Sequence, residues 1–126
     1  MIPTLQSLWL VDRVEFDETT RKVNLLGLFD QIAVTPGADF TTGASVFFAL
    51  RGVHGEAQLT LFYVDLEDGE ALLERPLRVE GSPLETTDFS VRVNRIPVPH
   101  AGSYAWELHC GSELLGTARV EAVVNQ

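Results

Sequence analysis

The chain has 126 residues and a formal net charge of −9, and eight of its nine Lys and Arg side chains are arginine. An acidic chain with no basic cluster repels a phosphate backbone, which argues against nucleic acid and anionic membrane as partners. Hydrophobic residues make up 45% and charged residues 21%, a balance that fits one folded core and excludes a disordered chain.

No segment sustains a helical period. Apolar residues alternate or run in short blocks, divided by Gly, Pro, Asp and Thr every ten residues or so, as in an all-β sandwich. The pattern predicts about eight strands: 5–16, 22–33, 45–53, 57–66, 70–80, 88–96, 103–110 and 113–124. The first two form a hairpin through "DETTRK". With "ETTR" as its loop, Asp12 falls opposite Gly27 and Asp30 opposite Trp9, on opposite faces, so these carboxylates are no acid/base pair. Asp12 shares parity with the core positions Leu10 and Val14, where an acid needs a loop backbone or an arginine such as Arg51 or Arg95.

Residues 35–44, "TPGADFTTGA", read as an ordered surface loop. In "LTLFYVDL" Leu59, Leu61 and Tyr63 oppose Phe62, Val64 and Leu66, and the second strand is likewise apolar on both faces. One core accounts for one face only. Loops, edge-strand side chains or another subunit must cover the second, and self-association is the expectation for so short a chain. "LEDGEA" then places Gly69 where a tight hairpin needs positive φ, and "DFSVRVNRI" turns Phe89, Val91 and Val93 inward.

The stretch "PVPHAGSYAWELHCG" holds two of three histidines and the single cysteine. Alternation puts Tyr104, Trp106, Leu108 and Cys110 on one face and His109 on the other, so His109 and Cys110 do not form a dyad. Strand parity puts His100 at the opposite end from His54 and Cys110. "AGSYAW" is similar to a tyrosine corner, with Gly102 leading into Tyr104, whose hydroxyl bonds back to upstream backbone, and Trp106 filling the core.

No nucleophile, P-loop or dinucleotide motif is present, so the expectation is a protein without catalytic residues, cofactor or metal. One cysteine forms no internal disulfide, and Asp12 and Arg13 cut short the apolar start, which together suggest a cytoplasmic protein. A second reading gathers Asp39, Asp65, Glu67, Asp68 and His100 at the loop end formed by 35–44, 66–70 and 97–102. Such a set could bind carbohydrate or calcium, although "DLEDGE" lacks EF-hand spacing.

Three blocks resemble a family of small bacterial proteins, about 130 residues long, of unknown function. They are "DRVEFDETTRKVNLLGLFDQI", "FFALRGVHGEAQLTLFYVDLEDGE" and "IPVPHAGSYAWELHCGSELLGTARVEAV". Lys22, Asn24, Gly27, Phe29, Asp30 and Ile32 match its second element, Asp68-Gly69 its third, and Pro99, Gly102 and Tyr104 its last. Cys110-Gly111 stands where the pattern has Asp-Gly or Asn-Gly. The resemblance implies a β-sandwich and no activity. The expectation is therefore an immunoglobulin-like antiparallel β-sandwich with Greek-key connections, a single domain that binds a protein partner or a second copy of itself.

Overall fold

Alternating strands need two surfaces to separate, and here two packed sheets supply them. The computed structural model describes residues 2–124, with Thr42 described by its backbone alone. Among these residues nine strands follow in order: β1 (Thr4–Asp17), β2 (Lys22–Leu28), β3 (Gln31–Val34), β4 (Phe40–Arg51), β5 (Gly55–Asp65), β6 (Ala71–Gly81), β7 (Thr87–Pro97), β8 (Gly102–Cys110) and β9 (Glu113–Val124). One sheet has the order β2-β1-β4-β7 and the other β3-β9-β8-β5-β6. All neighbours are antiparallel except β3 and β9. The chain crosses between sheets from β4 to β5 and from β7 to β8, while β4 pairs with β7 and β5 with β8. These interlocked crossings are of the Greek-key kind that the sequence suggests.

Between the sheets lie Phe48 and Leu50 of β4, Leu61 and Tyr63 of β5, Val91 and Val93 of β7, and Tyr104, Trp106 and Leu108 of β8. Burying each such aliphatic side chain contributes roughly 1.5–3 kcal/mol. Trp106 packs against Tyr63 with ring centroids 4.6 Å apart, as its core assignment requires. Its indole N–H is buried and meets no acceptor among the described residues. In β7 the inward alternation changes phase after Val93, so that Ile96 also reaches the core.

Two elements differ from the sequence reading. The expected strand 22–33 is two strands in different sheets. Gly27 adopts φ +73°, the Phe29 amide still donates to Leu10 O, and the Asp30 carbonyl already accepts the Glu121 amide of the other sheet. Asp30 therefore does not sit opposite Trp9. The loop 35–44 is also shorter, because Phe40 and Thr41 pair with Pro97 and Ile96 and extend β4 toward its start.

The outer face of the first sheet answers the question of double-faced strands in part. Residues 44–50 of β4 are all buried, including the outward Ser45, Phe47 and Ala49. Trp9 pairs with Phe47 and Val11 with Ser45, while Arg92 reaches across to the Asp12 carbonyl at 3.0 Å. Edge-strand side chains thus supply much of the cover. Asp12 itself is exposed against Gly27 and takes no arginine through its side chain, and Arg95 lies 3.5 Å over the Phe40 ring instead.

Candidate functional site

The loop end nearest the start of β8 is organised by two tyrosines. Tyr104 donates its hydroxyl to His100 O at 2.6 Å and accepts the His100 amide at 3.3 Å, which is the tyrosine corner expected from the sequence. Tyr63 stacks on Tyr104, with centroids 5.3 Å apart, and donates to Pro97 O at 2.9 Å. Burial pushes both phenols above the ordinary tyrosine range. The Pro-rich approach 97–100 is thereby tied at both ends to the core.

This tie sets His100 against the end of β5. Asp65 follows Leu59, Leu61 and Tyr63 on the inward face and pairs across with Tyr104, so the residue is only 3% exposed. Its backbone is fixed by the Glu70 carbonyl at 2.9 Å and the Gly69 amide at 2.8 Å, where Gly69 has the expected positive φ of 76°. Asp65 Oδ1 accepts the Glu67 amide at 3.0 Å. Its Oδ2 lies 2.6 Å from His100 Nε2, and Glu67 Oε2 lies 3.2 Å from the same nitrogen.

His100 Nδ1 faces the Ala101 carbonyl at 2.8 Å. Both ring nitrogens therefore meet oxygen partners, an arrangement that favours the imidazolium. The Ala101 carbonyl foremost, and then Asp65, raises the His100 pKa. Burial pushes the Asp65 carboxyl upward, but the Glu67 amide and His100 together outweigh it and hold its pKa below the ordinary value.

Of the four acids and one histidine gathered at this end by the sequence, Asp65, Glu67 and His100 converge, with one donor atom of each within 4.8 Å of the others. Asp68 and Asp39 do not join them. Asp68 Oδ1 turns back to the Glu70 amide at 2.8 Å, as hairpin chemistry favours. Asp39 belongs to a neighbouring hollow with Val34, Val98 and His100, and its carbonyl accepts the Val98 amide at 2.7 Å. The other histidines lie elsewhere: His109 contacts Glu107 at 3.1 Å and sets its edge on Phe62, and His54 lies between β4 and β5. Cys110 packs, partly buried, at the margin of the core. Tyr63 is the residue the sequence reading passed over, although a Tyr inward on a strand that ends at this loop cluster is a signal for it.

Two interlocked sheets, antiparallel except at the β3–β9 edge and pinned by a tyrosine corner, define an immunoglobulin-like β-sandwich. Its fold is similar to that of an immunoglobulin-like protein from Pseudomonas aeruginosa, with a TM-score of 0.53, 15% identity and 98% of each chain covered. The chain belongs to the family of unknown function DUF6941, whose model matches residues 6–123. No curated protein matches the sequence.

Proposed function

We propose that the protein is a non-catalytic, cytoplasmic interaction module that pairs with a second copy of itself through the outer face of the β2-β1-β4-β7 sheet. The observation that carries this reading is the adjacency of Trp9 and Leu28, 48% and 52% exposed, beside the dry Val11 and Phe47. Trp9 and Leu28 border one shallow hollow with Phe29 and Asp30. A second copy presents the same indole and the same hollow, so a two-fold arrangement buries both sets at once. Each fully buried large apolar side chain adds roughly 1.5–3 kcal/mol to association. The test is light scattering across a concentration series. Wild type is expected to shift from monomer to dimer, and the pair Trp9→Ser and Leu28→Ser to remain monomeric. Wild type that is strictly monomeric at millimolar concentration refutes the proposal.

A second reading, a ligand site at the loop end, is favoured by the convergence of Asp65, Glu67 and His100. An ion suits this set better than a sugar. Sugar rings rest on open aromatic faces, and Phe40, exposed near this end, has the Arg95 guanidinium over its ring.

A further inference from the structure

Metal ions are discriminated by donor type, number and preorganisation. Calcium takes six to eight oxygens, and among the described residues only two carboxylates converge here, since Asp68 turns back to its own hairpin and Asp39 is not part of the cluster. The third donor is an imidazole nitrogen, which suits a borderline ion of the zinc class. We propose that Asp65 Oδ2, Glu67 Oε2 and His100 Nε2 form a zinc-class divalent cation site. The proposal rests on the loop-end ligand reading and names its ion.

Three features of the geometry support it. First, two of the three donors, His100 and Asp65, are held through their other polar atom, so that the ligating atoms face one another. His100 gives its other nitrogen, Nδ1, to the Ala101 carbonyl, as metal-bound histidines give their second ring nitrogen to a backbone carbonyl or carboxylate. Asp65 uses Oδ1 for the Glu67 amide and keeps Oδ2 for the ion. The tyrosine corner holds the His100 backbone at both its N–H and its C=O.

Second, the spacing is close to what the ion needs. Bonds of ~2.0–2.1 Å in a tetrahedron give donor separations of roughly 3.3 Å. His100 Nε2 and Glu67 Oε2 stand 3.2 Å apart already. The 2.6 Å from Nε2 to Asp65 Oδ2 must widen by ~0.7 Å once a cation replaces the proton between them.

Third, access is one-sided. The Asp65 side chain is 4% exposed, that of His100 33% and that of Glu67 73%. An ion would enter over Glu67, with the fourth position directed to solvent. The ion binds through the Nε2 lone pair, so any proton on that nitrogen must pass to solvent first, and acid competes with the metal.

The test is calorimetric titration of chelator-treated protein with zinc chloride and, separately, calcium chloride. Zinc is expected to bind once per chain and raise the melting temperature. His100→Gln should weaken zinc binding at least tenfold. Glu67→Gln, at a side chain exposed enough to leave the fold intact, should weaken it as well, whereas His109→Gln and Cys110→Ser should not. Absence of zinc binding at millimolar concentration overturns the proposal, as does binding indifferent to His100 and Glu67. Binding abolished at His109 or Cys110 also overturns it. Calcium binding without zinc binding keeps the loop-end reading and defeats the zinc assignment, whereas neither ion binding defeats both.

Discussion

Tyr104→Phe removes one oxygen atom from the best-tied point of the sandwich. That hydroxyl serves both backbone groups of His100, donating to the carbonyl at 2.6 Å and accepting the amide at 3.3 Å. A partner left behind in a buried setting costs about 1–3 kcal/mol, and the longer contact is the weaker of the two. The expected loss is therefore ~2 kcal/mol, with the ring and its stacking on Tyr63 retained. Tyr63→Phe provides the scale. Its hydroxyl makes a single bond, to Pro97 O at 2.9 Å, and its loss should cost about 1 kcal/mol. Urea denaturation followed by tryptophan fluorescence reads both, since Trp106 lies 4.6 Å from the Tyr63 ring. Both variants should lower the midpoint without changing the slope, which reports the surface exposed on unfolding. For a chain of this length ~2 kcal/mol corresponds to a fall of roughly 6–10 °C in Tm. If Tyr104→Phe costs no more than Tyr63→Phe, the hydroxyl is not the tie that fixes His100, and the tyrosine-corner reasoning fails.

Two further outcomes follow from local geometry. Asp17 Oδ1 accepts the Thr20 amide at 3.1 Å and the Thr19 amide at 2.9 Å, and these bonds, the Thr20 amide foremost, hold its carboxyl below the ordinary range. A depressed folded-state pKa stabilises the β1–β2 hairpin above the unfolded value, and the contribution is lost as pH falls through the folded one. The Thr19 and Thr20 amide resonances should titrate with a midpoint below ~3.9, and a midpoint at or above that value refutes the turn geometry. Gly43→Ala places a Cβ against the Val93 carbonyl oxygen and the Asn94 backbone, which cannot swing aside. It should cost ~2 kcal/mol or more in urea, while Gly116→Ala, which meets only the mobile end of Leu5, should cost less. Equal losses would show that β7 yields at Val93.

The sequence was most legible where the chemistry is local. The tyrosine corner spans five residues, His100 to Tyr104, and both Gly102 and Tyr104 carry its signature. Period two sorts β8 correctly as well, since Tyr104, Trp106 and Leu108 are buried while His109 faces away and packs on Phe62. Strand parity likewise brought His100 to the same end as Asp65. Parity alone could not show that Asp68 would satisfy its own turn, because that depends on side-chain direction. Asp65 was more legible than the reading made it, for the alternation Leu59, Leu61, Tyr63 runs on to it and marks an inward carboxylate. The strand 22–33 misled because apolar residues continue on both sides of the bend. Ile32 and Val34 are buried, but on the opposite phase from Val23 and Leu25 and in the other sheet. The signals at that point, Gly27 and Asp30, also occur within ordinary strands.

That bend explains more than a boundary. Because the chain leaves the first sheet at Phe29, β2 covers β1 only from Leu10 onward, and the early half of β1 is left with one neighbouring strand. Because β3 joins the second sheet only beside residues 121–124, the early half of β9 is left in the same state. Unpaired strand edges invite unwanted pairing unless something blunts them. Here the two half-edges lie against each other on one side of the sandwich, with the end of the Leu5 side chain seated directly over Gly116. Trp9 stands where this closed stretch of β1 meets the start of the β2 cover, and Leu28 is the last residue of that cover. Their joint exposure is thus a consequence of where the chain changes sheets. A β2 strand continued past Phe29 would run beside Trp9 and crowd the hollow that the two residues share. The dimer face proposed above and the sheet switch stand or fall together: a variant that moves the switch should change association without touching Trp9.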